Sequence, residues 1–390
     1  MPFLSAALDR VKPSATIAVT DKARALKAAG RNVIGLGAGE PDFDTPANIK
    51  LAAIHAIEAG KTKYTAVDGI PELKQAIAAK FLRENGLTYK PSQIIVSCGG
   101  KHSCYNVILA TCEAGDEVII PAPYWLSYPE MVKLVGAKPV ILQTSDKTEF
   151  KVTPAQLRAA ITPNTRLFVL NSPSNPTGSV YSPEEVKALG DICIEKNVII
   201  MSDEIYEHLL YDGATVKSVA SFSPAHQEHT IIVHGFAKAY SMTGWRLGFL
   251  AAPEPIARAI DAVQSHSTSN PTSFAQKGGV AALTGPQDHL PVWLAEYDKR
   301  RRYAHAKLNS IPGITCVNAK GAFYLFPNIS KTGLKSADFC AKLLEQEKVA
   351  AVPGIAFGAD DYIRLSYATS MANIEKGLDR IDKFCRTLVK

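Results

Sequence analysis

Lys238 follows an apolar, strand-like run and precedes Arg246 by eight residues. A lysine that directly follows a buried strand loses hydration, which lowers its pKa and makes its amine nucleophilic toward an aldehyde. Arginine carries a permanent charge on a planar fork, which suits a nearby phosphate. Lysine and arginine are also common in ordinary loops, so this pair alone does not decide between chemistry and a solvated loop.

Asp203 ends another apolar run, at residues 198–201. A carboxylate seldom ends a buried strand without a partner, because an unpaired buried charge is costly. We therefore expect a cation next to Asp203. A pyridinium nitrogen is one such cation, since a facing carboxylate would keep the ring protonated and electron-withdrawing. A helix N-cap or a structural salt bridge is the alternative role.

Two turn-forming segments also follow apolar runs. Residues 98–101, Cys-Gly-Gly-Lys, join a predicted strand to a predicted helix. Small residues there let backbone N–H groups at a helix N-terminus approach an anion. Residues 171–178, Asn-Ser-Pro-Ser-Asn-Pro-Thr-Gly, fix φ or form local hydrogen bonds. Taken singly, the first segment also fits a plain tight turn and the second an ordinary loop.

The elements that must position these residues form an alternating pattern between about residues 90 and 250. Helix-length segments at 101–112, 183–196 and 255–265 are long enough to be crossovers, which predicts a mainly parallel sheet. In such sheets, ligands bind beyond the carboxyl ends of the strands. Seven runs predict strands, at 94–97, 117–121, 139–143, 167–171, 198–202, 230–234 and 247–251.

The pattern changes beyond Pro291 and predicts a second, smaller α+β domain. Its expected elements are a helix at 293–309, strands around 322–326 and 363–367, and a closing helix at 371–388. The N-terminal helix, at 14–29, has no strand partner nearby, and we expect it to pack with this domain. The predicted boundaries are 48–290 for the large domain, and 1–47 with 291–390 for the small one.

Composition describes a soluble globular enzyme, with 46% hydrophobic and 21% charged residues and a formal net charge of only +6. We expect the basic run at 299–302 to be a solvated helix face, with no nucleic-acid partner. The seven cysteines show neither metal-ligand nor disulfide spacing, so they predict reduced thiols and no metal site. Residues 1–19 lack a signal peptide's apolar stretch, and no apolar run reaches about 18 residues, which favours the cytoplasm and no membrane contact.

Together and in this order, the segments resemble the fold-type I pyridoxal-phosphate enzymes, specifically the class I aspartate aminotransferase family, subgroup Ib. The resemblance runs from residues 10–14, Arg-Val-Lys-Pro-Ser, to residues 364–368, Arg-Leu-Ser-Tyr-Ala. It implies an α/β fold with a large domain, whose seven-stranded, mainly parallel sheet is flanked by helices, and a smaller α+β domain. It also implies amino-group transfer between aspartate or glutamate and 2-oxo acids such as 2-oxoglutarate and oxaloacetate, with prephenate as a candidate acceptor.

The resemblance implies a role for each residue near the cofactor ring. Lys238 would hold pyridoxal 5′-phosphate as an imine and then carry the proton between the substrate Cα and the cofactor. Asp203 would face the pyridine nitrogen, while Asn175 and Tyr206 would hydrogen-bond the phenolic oxygen. Trp125 would stack on the ring face. A core indole is the alternative role for Trp125.

The same resemblance implies which residues bind the cofactor phosphate and that the protein is a homodimer. The better-known branch of the family has serines at the positions of Gly235 and Ala237, so one or two phosphate hydrogen bonds differ here. One tyrosine would reach the phosphate from a second subunit, which implies a homodimer. The implied phosphate-binding residues are Gly99, Gly100, Lys101, Arg246 and, from the partner, Tyr64.

The resemblance also implies how the substrate would be bound. Arg364 would grip the α-carboxylate in a bidentate pair, because a planar fork fits a planar carboxylate. Animal-type enzymes bind the distal carboxylate with an arginine in a region that here, at 265–270, contains none. Lys101 and Lys12 are the candidates for that role, and solvated surface lysines are the alternative. The implied substrate-binding residues are Gly39, Lys12, Lys101, Trp125, Asn175 and Arg364.

Three rival functions share this fold. An aromatic or other amino-acid aminotransferase and a C–S β-lyase would both keep the lysine. A ligand-sensing regulator would carry an additional DNA-binding domain, for which the short distance between the helix at 14–29 and Gly39 leaves no room.

Overall fold

The computed structural model describes residues 3–389; residues 1, 2 and 390, which belong to the predicted small domain, lie outside this range. The strands of the described residues are short, and most of them are fully buried. In chain order they are β1 (Ile34–Gly35), β2 (Ile94–Ser97), β3 (Glu117–Ala122), β4 (Lys138–Gln143), β5 (Thr165–Asn171), β6 (Ile199–Asp203), β7 (Thr230–Gly235), β8 (Gly248–Ala251), β9 (Tyr324–Leu325), β10 (Val349–Ala350), β11 (Val352–Pro353) and β12 (Ile363–Ser366).

The α-helices of the described residues alternate with these strands in the middle of the chain and predominate near its ends. A single π-helical turn, Phe81–Asn85, continues the third helix. In chain order the helices are α1 (Ala15–Ala28), α2 (Ala47–Glu58), α3 (Pro71–Lys80), α4 (Gly100–Thr111), α5 (Ser127–Leu134), α6 (Pro154–Ala160), α7 (Pro183–Glu195), α8 (Pro224–Glu228), α9 (Glu254–Ser265), α10 (Ser273–Thr284), α11 (His289–Asn309), α12 (Ser336–Glu347) and α13 (Met371–Leu388).

The main sheet has seven strands in the order β2-β8-β7-β6-β5-β3-β4. Neighbours from β7 to β4 pair in parallel, whereas β8 is antiparallel to both β7 and β2. The predicted seven-stranded, mainly parallel sheet is therefore confirmed, with strand ends within a residue or two of the prediction. The apolar character of the strands follows from burial, because a sheet covered by helices on both faces excludes water from both.

Alternate side chains of one strand pack into different hydrophobic clusters. Ile94 and Val96 of β2 join a cluster with α3 and α10, whereas Ile95 between them joins one with α4 and α9. This two-residue period is that of a strand whose successive side chains point to opposite faces. Helix starts are encoded locally as well: Ser182 caps α7 in a capping box with Glu185.

Beyond the main sheet, a second core is built around a three-stranded sheet of order β11-β12-β9 and the parallel pair β1-β10. Helices α11, α12 and α13 pack around it. The N-terminal helix α1 contacts β10 and β11, and Ala23 packs with Val33 and Leu344, so the expected position of this helix is confirmed. The domain boundaries at residues 48 and 291 stay a prediction.

The interpretation of the basic run at 299–302 as a solvated face is wrong for two of its members. Arg300 is 6% exposed and pairs with Asp42 at 2.8 Å, and Arg301 is 1% exposed and pairs with Asp212 at 2.8 Å. Each arginine also pairs with a carboxylate one turn earlier on α11, Glu296 or Asp298. Asp42 and Asp212 lie far away in the chain, so spacing within the run could not reveal them. The two arginines therefore form structural ion pairs that connect α11 to loops distant in the chain.

Two further expectations concern cysteines and membranes. All seven cysteines are free thiols, and all but Cys98 are buried. Among the described helices, none combines the length and the apolar character needed to cross a bilayer. The cytoplasmic location stays a prediction.

Candidate active site

A cavity of about 390 Å³ opens where the carboxyl ends of β5 and β6 meet the N-terminus of α4 and the loop after β7. Residues of both cores line it, because Arg364 lies on β12 and Asp203 ends β6. The cavity brings together all the predicted site residues except Lys12 and Tyr64. Those that line it are Gly39, Gly99, Gly100, Lys101, Trp125, Asn175, Asp203, Tyr206, Lys238, Arg246 and Arg364.

The Lys238 amine projects into this cavity from the segment that follows β7. Its Nζ donates to the carbonyl oxygen of Gly39 at 2.5 Å and lies 5.7 Å from the ring centre of Tyr206. Withdrawal from water, reinforced by the charge of Arg364, lowers the pKa of Lys238 to about 8. About a tenth of the amine is therefore uncharged at pH 7, far more than for an ordinary lysine, and the uncharged form is the nucleophile toward an aldehyde.

Asp203 faces the cavity from the end of β6 and is 7% exposed. Its Oδ2 accepts a hydrogen bond from the Tyr128 hydroxyl at 2.5 Å, and its Oδ1 accepts one from the Ile205 N–H at 3.3 Å. None of the ion pairs within residues 3–389 includes it, and no helix begins there, so neither alternative role holds. Burial raises its pKa. The carboxylate therefore has room for a cationic partner from a ligand.

An anion-binding cradle forms where β2 passes into α4. Gly99 is the N-cap with φ +97°, and a Cβ at this position would lie 2.6 Å from Arg246 Nη2. Only glycine allows this approach without a shift, which explains the residue type. Arg246 itself donates to the carbonyl oxygen of Thr243 at 2.8 Å, while Lys101 Nζ lies 5.2 Å from the Trp125 ring centre. A helix N-terminus beside two cations suits a phosphate.

Arg364 is a buried cation for which the described residues supply no carboxylate. It is 1% exposed, its Nη1 donates to Asn175 Oδ1 at 2.9 Å, and its Nη2 donates to the Gly37 carbonyl oxygen at 2.8 Å. The guanidinium carbon lies 4.5 Å from the Tyr324 ring centre, and Nε has no hydrogen-bond partner. Burial lowers its pKa. The guanidinium is therefore fixed in position, and the described residues give it no counter-anion.

Several cavity residues escaped the sequence analysis. Tyr128 bonds Asp203, and the Tyr324 hydroxyl bonds the Tyr206 hydroxyl at 2.9 Å. Asn171, which the sequence indicated only as the first residue of a turn-forming segment, donates from its side-chain amide to the Asp203 carbonyl oxygen at 3.0 Å. Tyr128 lies three residues after Trp125, and that spacing on a helical turn was the available signal. Tyr324 gave no signal beyond its place in a predicted strand.

Lys12 and Tyr64 do not line the cavity. The backbone N–H of Lys12 donates to Glu130 Oε2 at 2.8 Å, and its side chain is exposed. The following residues Ser14 and Ile17 do line the cavity, so the N-terminal segment passes its mouth. Tyr64 is 91% exposed. Their functional roles stay predictions.

One described group of possible metal ligands lies behind the cavity and consists of Glu207, His208 and His234. His234 Nε2 lies 2.8 Å from Glu207 Oε1, and the ammonium of Lys80 pairs with the same carboxylate. Lys80 is 1% exposed. Because this lysine already supplies the cation, the group acts as a buried ion-pair network behind the turn that carries Tyr206.

The seven-stranded sheet, the enclosed lysine and the glycine-rich helix N-terminus beside Arg246 fit an aminotransferase. Residues 31–381 match the family described as aminotransferase class I and II, and the chain belongs to this family. Members of the family depend on pyridoxal phosphate. The predicted resemblance, fold class and transaminase activity are confirmed.

Individual members of the family that are similar to this chain are named aspartate aminotransferase or aspartate/prephenate aminotransferase. The chain is 51% identical over 377 residues to the aspartate aminotransferase of Geobacillus stearothermophilus, which covers 95% of this chain and 96% of the relative. It is 52% identical over 399 aligned positions to the aspartate/prephenate aminotransferase of Cereibacter sphaeroides, with 100% of both covered. The solved aspartate aminotransferase from Rhizobium meliloti superposes with a TM-score of 0.95 at 42% identity, over 99% of each chain. That from Thermus thermophilus with maleate gives 0.94 at 43% identity, over 98% of this chain and 100% of the other.

Proposed function

We propose that this enzyme uses pyridoxal 5′-phosphate to move the amino group between acidic amino acids and 2-oxo acids. Aspartate and glutamate would be the donors, 2-oxoglutarate and oxaloacetate the acceptors, and prephenate a further acceptor. One observation carries the proposal: a single cavity holds the Lys238 amine, a carboxylate without a cation at Asp203 and a guanidinium without an anion at Arg364. A cofactor ring and an amino acid would supply the missing charges.

The chemistry of the lining residues fits the cofactor from end to end. Asp203 would pair with the pyridine nitrogen, and Trp125 would cover the ring face. Tyr206 and Asn175 would hydrogen-bond the phenolic oxygen. When bound, the cofactor supplies an electron sink that stabilises negative charge at the substrate Cα. Its phosphate would bind to Gly99, Gly100, Lys101 and Arg246.

Lys238 would provide the acid–base chemistry as well as the attachment point. Once an amino acid has replaced it, its Nζ is free to take the proton from the substrate Cα and later to return it. A pKa of about 8 suits both directions, because a proton carrier works best when its pKa lies near the ambient pH. Donor and acceptor would use the same cavity in turn, which gives two half-reactions.

Two separate cationic regions support a preference for dicarboxylic substrates. Arg364 would bind the α-carboxylate of every substrate, with help from the Gly39 N–H. Lys101, on the first turn of α4, and Lys12, on the segment at the cavity mouth, would bind the distal carboxylate. The names of the relatives support acidic substrates, and maleate, in the Thermus thermophilus structure, is a dicarboxylate.

A homodimer would complete the site, with Tyr64 of each subunit reaching the other's phosphate. Tyr64 is 91% exposed, and the nearby helix α2 exposes three large apolar side chains, Leu51 at 51%, Ile54 at 48% and Ile57 at 47%. Apolar surface of this kind is typical of a helix that a second copy covers. Sedimentation of the purified protein would test the dimer, and a monomer that is fully active would contradict it.

Steady-state transamination of aspartate with 2-oxoglutarate tests the proposed activity. Lys238→Ala should lower the rate by several orders of magnitude, because it removes both the attachment point and the proton carrier. Lys277→Ala, which removes a surface ion pair with Glu72, is the matched control and should leave the rate unchanged. Release of pyruvate and ammonia from cystathionine, without transamination, would instead favour the β-lyase.

Substrate preference can be tested at the two candidate lysines. Lys101→Ala and Lys12→Ala should each raise KM for aspartate by roughly tenfold, as expected for one lost bond to a charged group. Pyridoxal phosphate is kept in excess, because Lys101 is also proposed to bind its phosphate, and KM for phenylalanine should then change far less. Equal effects on both substrates would contradict a role in binding the distal carboxylate.

A further inference from the structure

Tyr128 lies on the first turn of α5 and is 1% exposed. Its hydroxyl donates to Asp203 Oδ2 at 2.5 Å, which is the shorter of the two hydrogen bonds on that carboxylate. Its ring also meets the Trp125 ring edge to face, with centres 5.1 Å apart and an interplanar angle of 81°. A single side chain therefore contacts both the carboxylate and the indole that line the cavity.

The hydroxyl of Tyr128 has a specific effect on Asp203. A buried carboxylate tends to take up a proton, and hydrogen bonds to its charged form oppose this. Its other neighbours are weaker, since Cys104 Sγ lies 4.0 Å from Oδ2 and the Ile205 N–H lies 3.3 Å from Oδ1. The Tyr128 hydroxyl is thus the main group that keeps the carboxylate charged and fixes its rotation.

We propose that Tyr128 is a positioning residue that holds Asp203 charged and oriented toward the cofactor nitrogen while it supports Trp125 against the ring. This inference rests on the proposed function. Tyr128 touches neither substrate nor reacting atoms; it acts through the carboxylate and the indole. The chain order places Tyr128 next to Trp125, because the loop after β3 contains Trp125 and leads directly into α5.

Tyr128→Phe separates the two contacts. It keeps the ring that packs against Trp125 and removes only the oxygen that bonds Asp203. Tyr181→Phe is the matched control, because Tyr181 is also buried and its hydroxyl also makes a hydrogen bond, accepting from the Val152 N–H at 2.9 Å, but it does not line the cavity. Thermal unfolding of both variants without cofactor would measure any general loss of stability.

The experiment uses the full-length protein in three measurements. Titration of the cofactor-free protein with pyridoxal phosphate should give a dissociation constant raised roughly tenfold to hundredfold in Tyr128→Phe, the loss expected for one bond to a charged group. The pH midpoint of the bound cofactor's visible absorbance should move upward, because a less charged pyridine nitrogen withdraws fewer electrons. The kcat for aspartate should fall while KM changes little.

The outcomes are distinguishable. A Tyr128→Phe protein that matches Tyr181→Phe in affinity, absorbance midpoint and kcat would overturn the inference while the proposed function stands. Weaker cofactor binding with an unchanged midpoint and kcat would also overturn it, since that pattern indicates packing alone. A wild-type protein that neither binds the cofactor nor transaminates would remove the proposed function itself.

Discussion

Replacing Arg364 by lysine keeps a positive charge on β12 but removes the planar fork. In the wild-type protein the guanidinium is already fixed by Asn175 and by the Gly37 carbonyl oxygen. Its remaining N–H groups, including the unpaired Nε, are free for a carboxylate. An ammonium group at this position could still attract that carboxylate, but it would make one directed hydrogen bond in place of two.

The size of the effect follows from the bond that is lost. One hydrogen bond between charged partners contributes about 1.5 to 3 kcal/mol, which corresponds to a loss in kcat/KM of roughly ten- to 150-fold. The lysine would also leave the buried acceptors on Asn175 and Gly37 less well satisfied, so the larger value is the better expectation. The loss should be the same for every amino acid, because every amino acid carries the α-carboxylate that Arg364 is proposed to bind.

The assay is the first half-reaction, followed by the absorbance change of the bound cofactor with aspartate and, separately, with phenylalanine. Both rate constants, plotted against substrate concentration, should fall by the same factor in Arg364→Lys. Lys12→Ala serves as the contrasting variant, since Lys12 is proposed to contact only the distal carboxylate and its effect should be confined to aspartate. A loss confined to aspartate in Arg364→Lys would refute the assignment, because it would mean that Arg364 binds the distal carboxylate.

Two pH predictions follow from buried groups. Glu204, whose Oε1 accepts bonds from Ser202 and Ser218, has its pKa raised from 4.5 to about 7 by burial and by the nearby charge of Glu207. Because this pKa is raised, the free energy of unfolding falls as pH rises from 4.5 to about 7. In urea unfolding above pH 7, Glu204→Gln should therefore be more stable than the wild type by up to about 3 kcal/mol. A difference in stability that does not change with pH would contradict this. For Lys238, the rate of pyridoxal phosphate capture by the cofactor-free protein should rise with pH to a midpoint at about 8, and a midpoint at 10.5 would show that the amine is not desolvated.

The strands of the main sheet were predictable from the sequence because each strand is marked by residues within and next to it. Each strand of the main sheet is a short apolar run bounded by turn residues, and α13 was predicted with its observed bounds. The start of α11 was missed by four residues, since His289 and Leu290 precede Pro291, which was taken as a boundary. Proline is tolerated in the first turn of a helix, which explains the error.

The site was less accessible from local pattern, because its members are brought together by the fold. Lys238 and Asp203 could be proposed from their positions after strands, but neither run indicated that Asp203 would lack an ion pair. The family resemblance supplied Arg364, which no local pattern singled out. Tyr128 and Tyr324 were missed because buried tyrosines resemble core residues until their hydroxyl partners are known.

The fold keeps the opposite charges of Asp203 and Arg364 apart, which leaves both available to ligands. Both are buried, and their opposite charges would neutralise each other if they met. The architecture prevents this, because Asp203 ends β6 of the main sheet and Arg364 lies on β12 of the second one, each fixed by its own hydrogen bonds. Keeping such charges apart costs stability in the empty protein. Under the proposed function, that cost would be recovered when the cofactor's ring nitrogen meets Asp203 and the substrate's carboxylate meets Arg364. The separation that weakens the empty cavity would then make it selective for a cation at one place and an anion at the other.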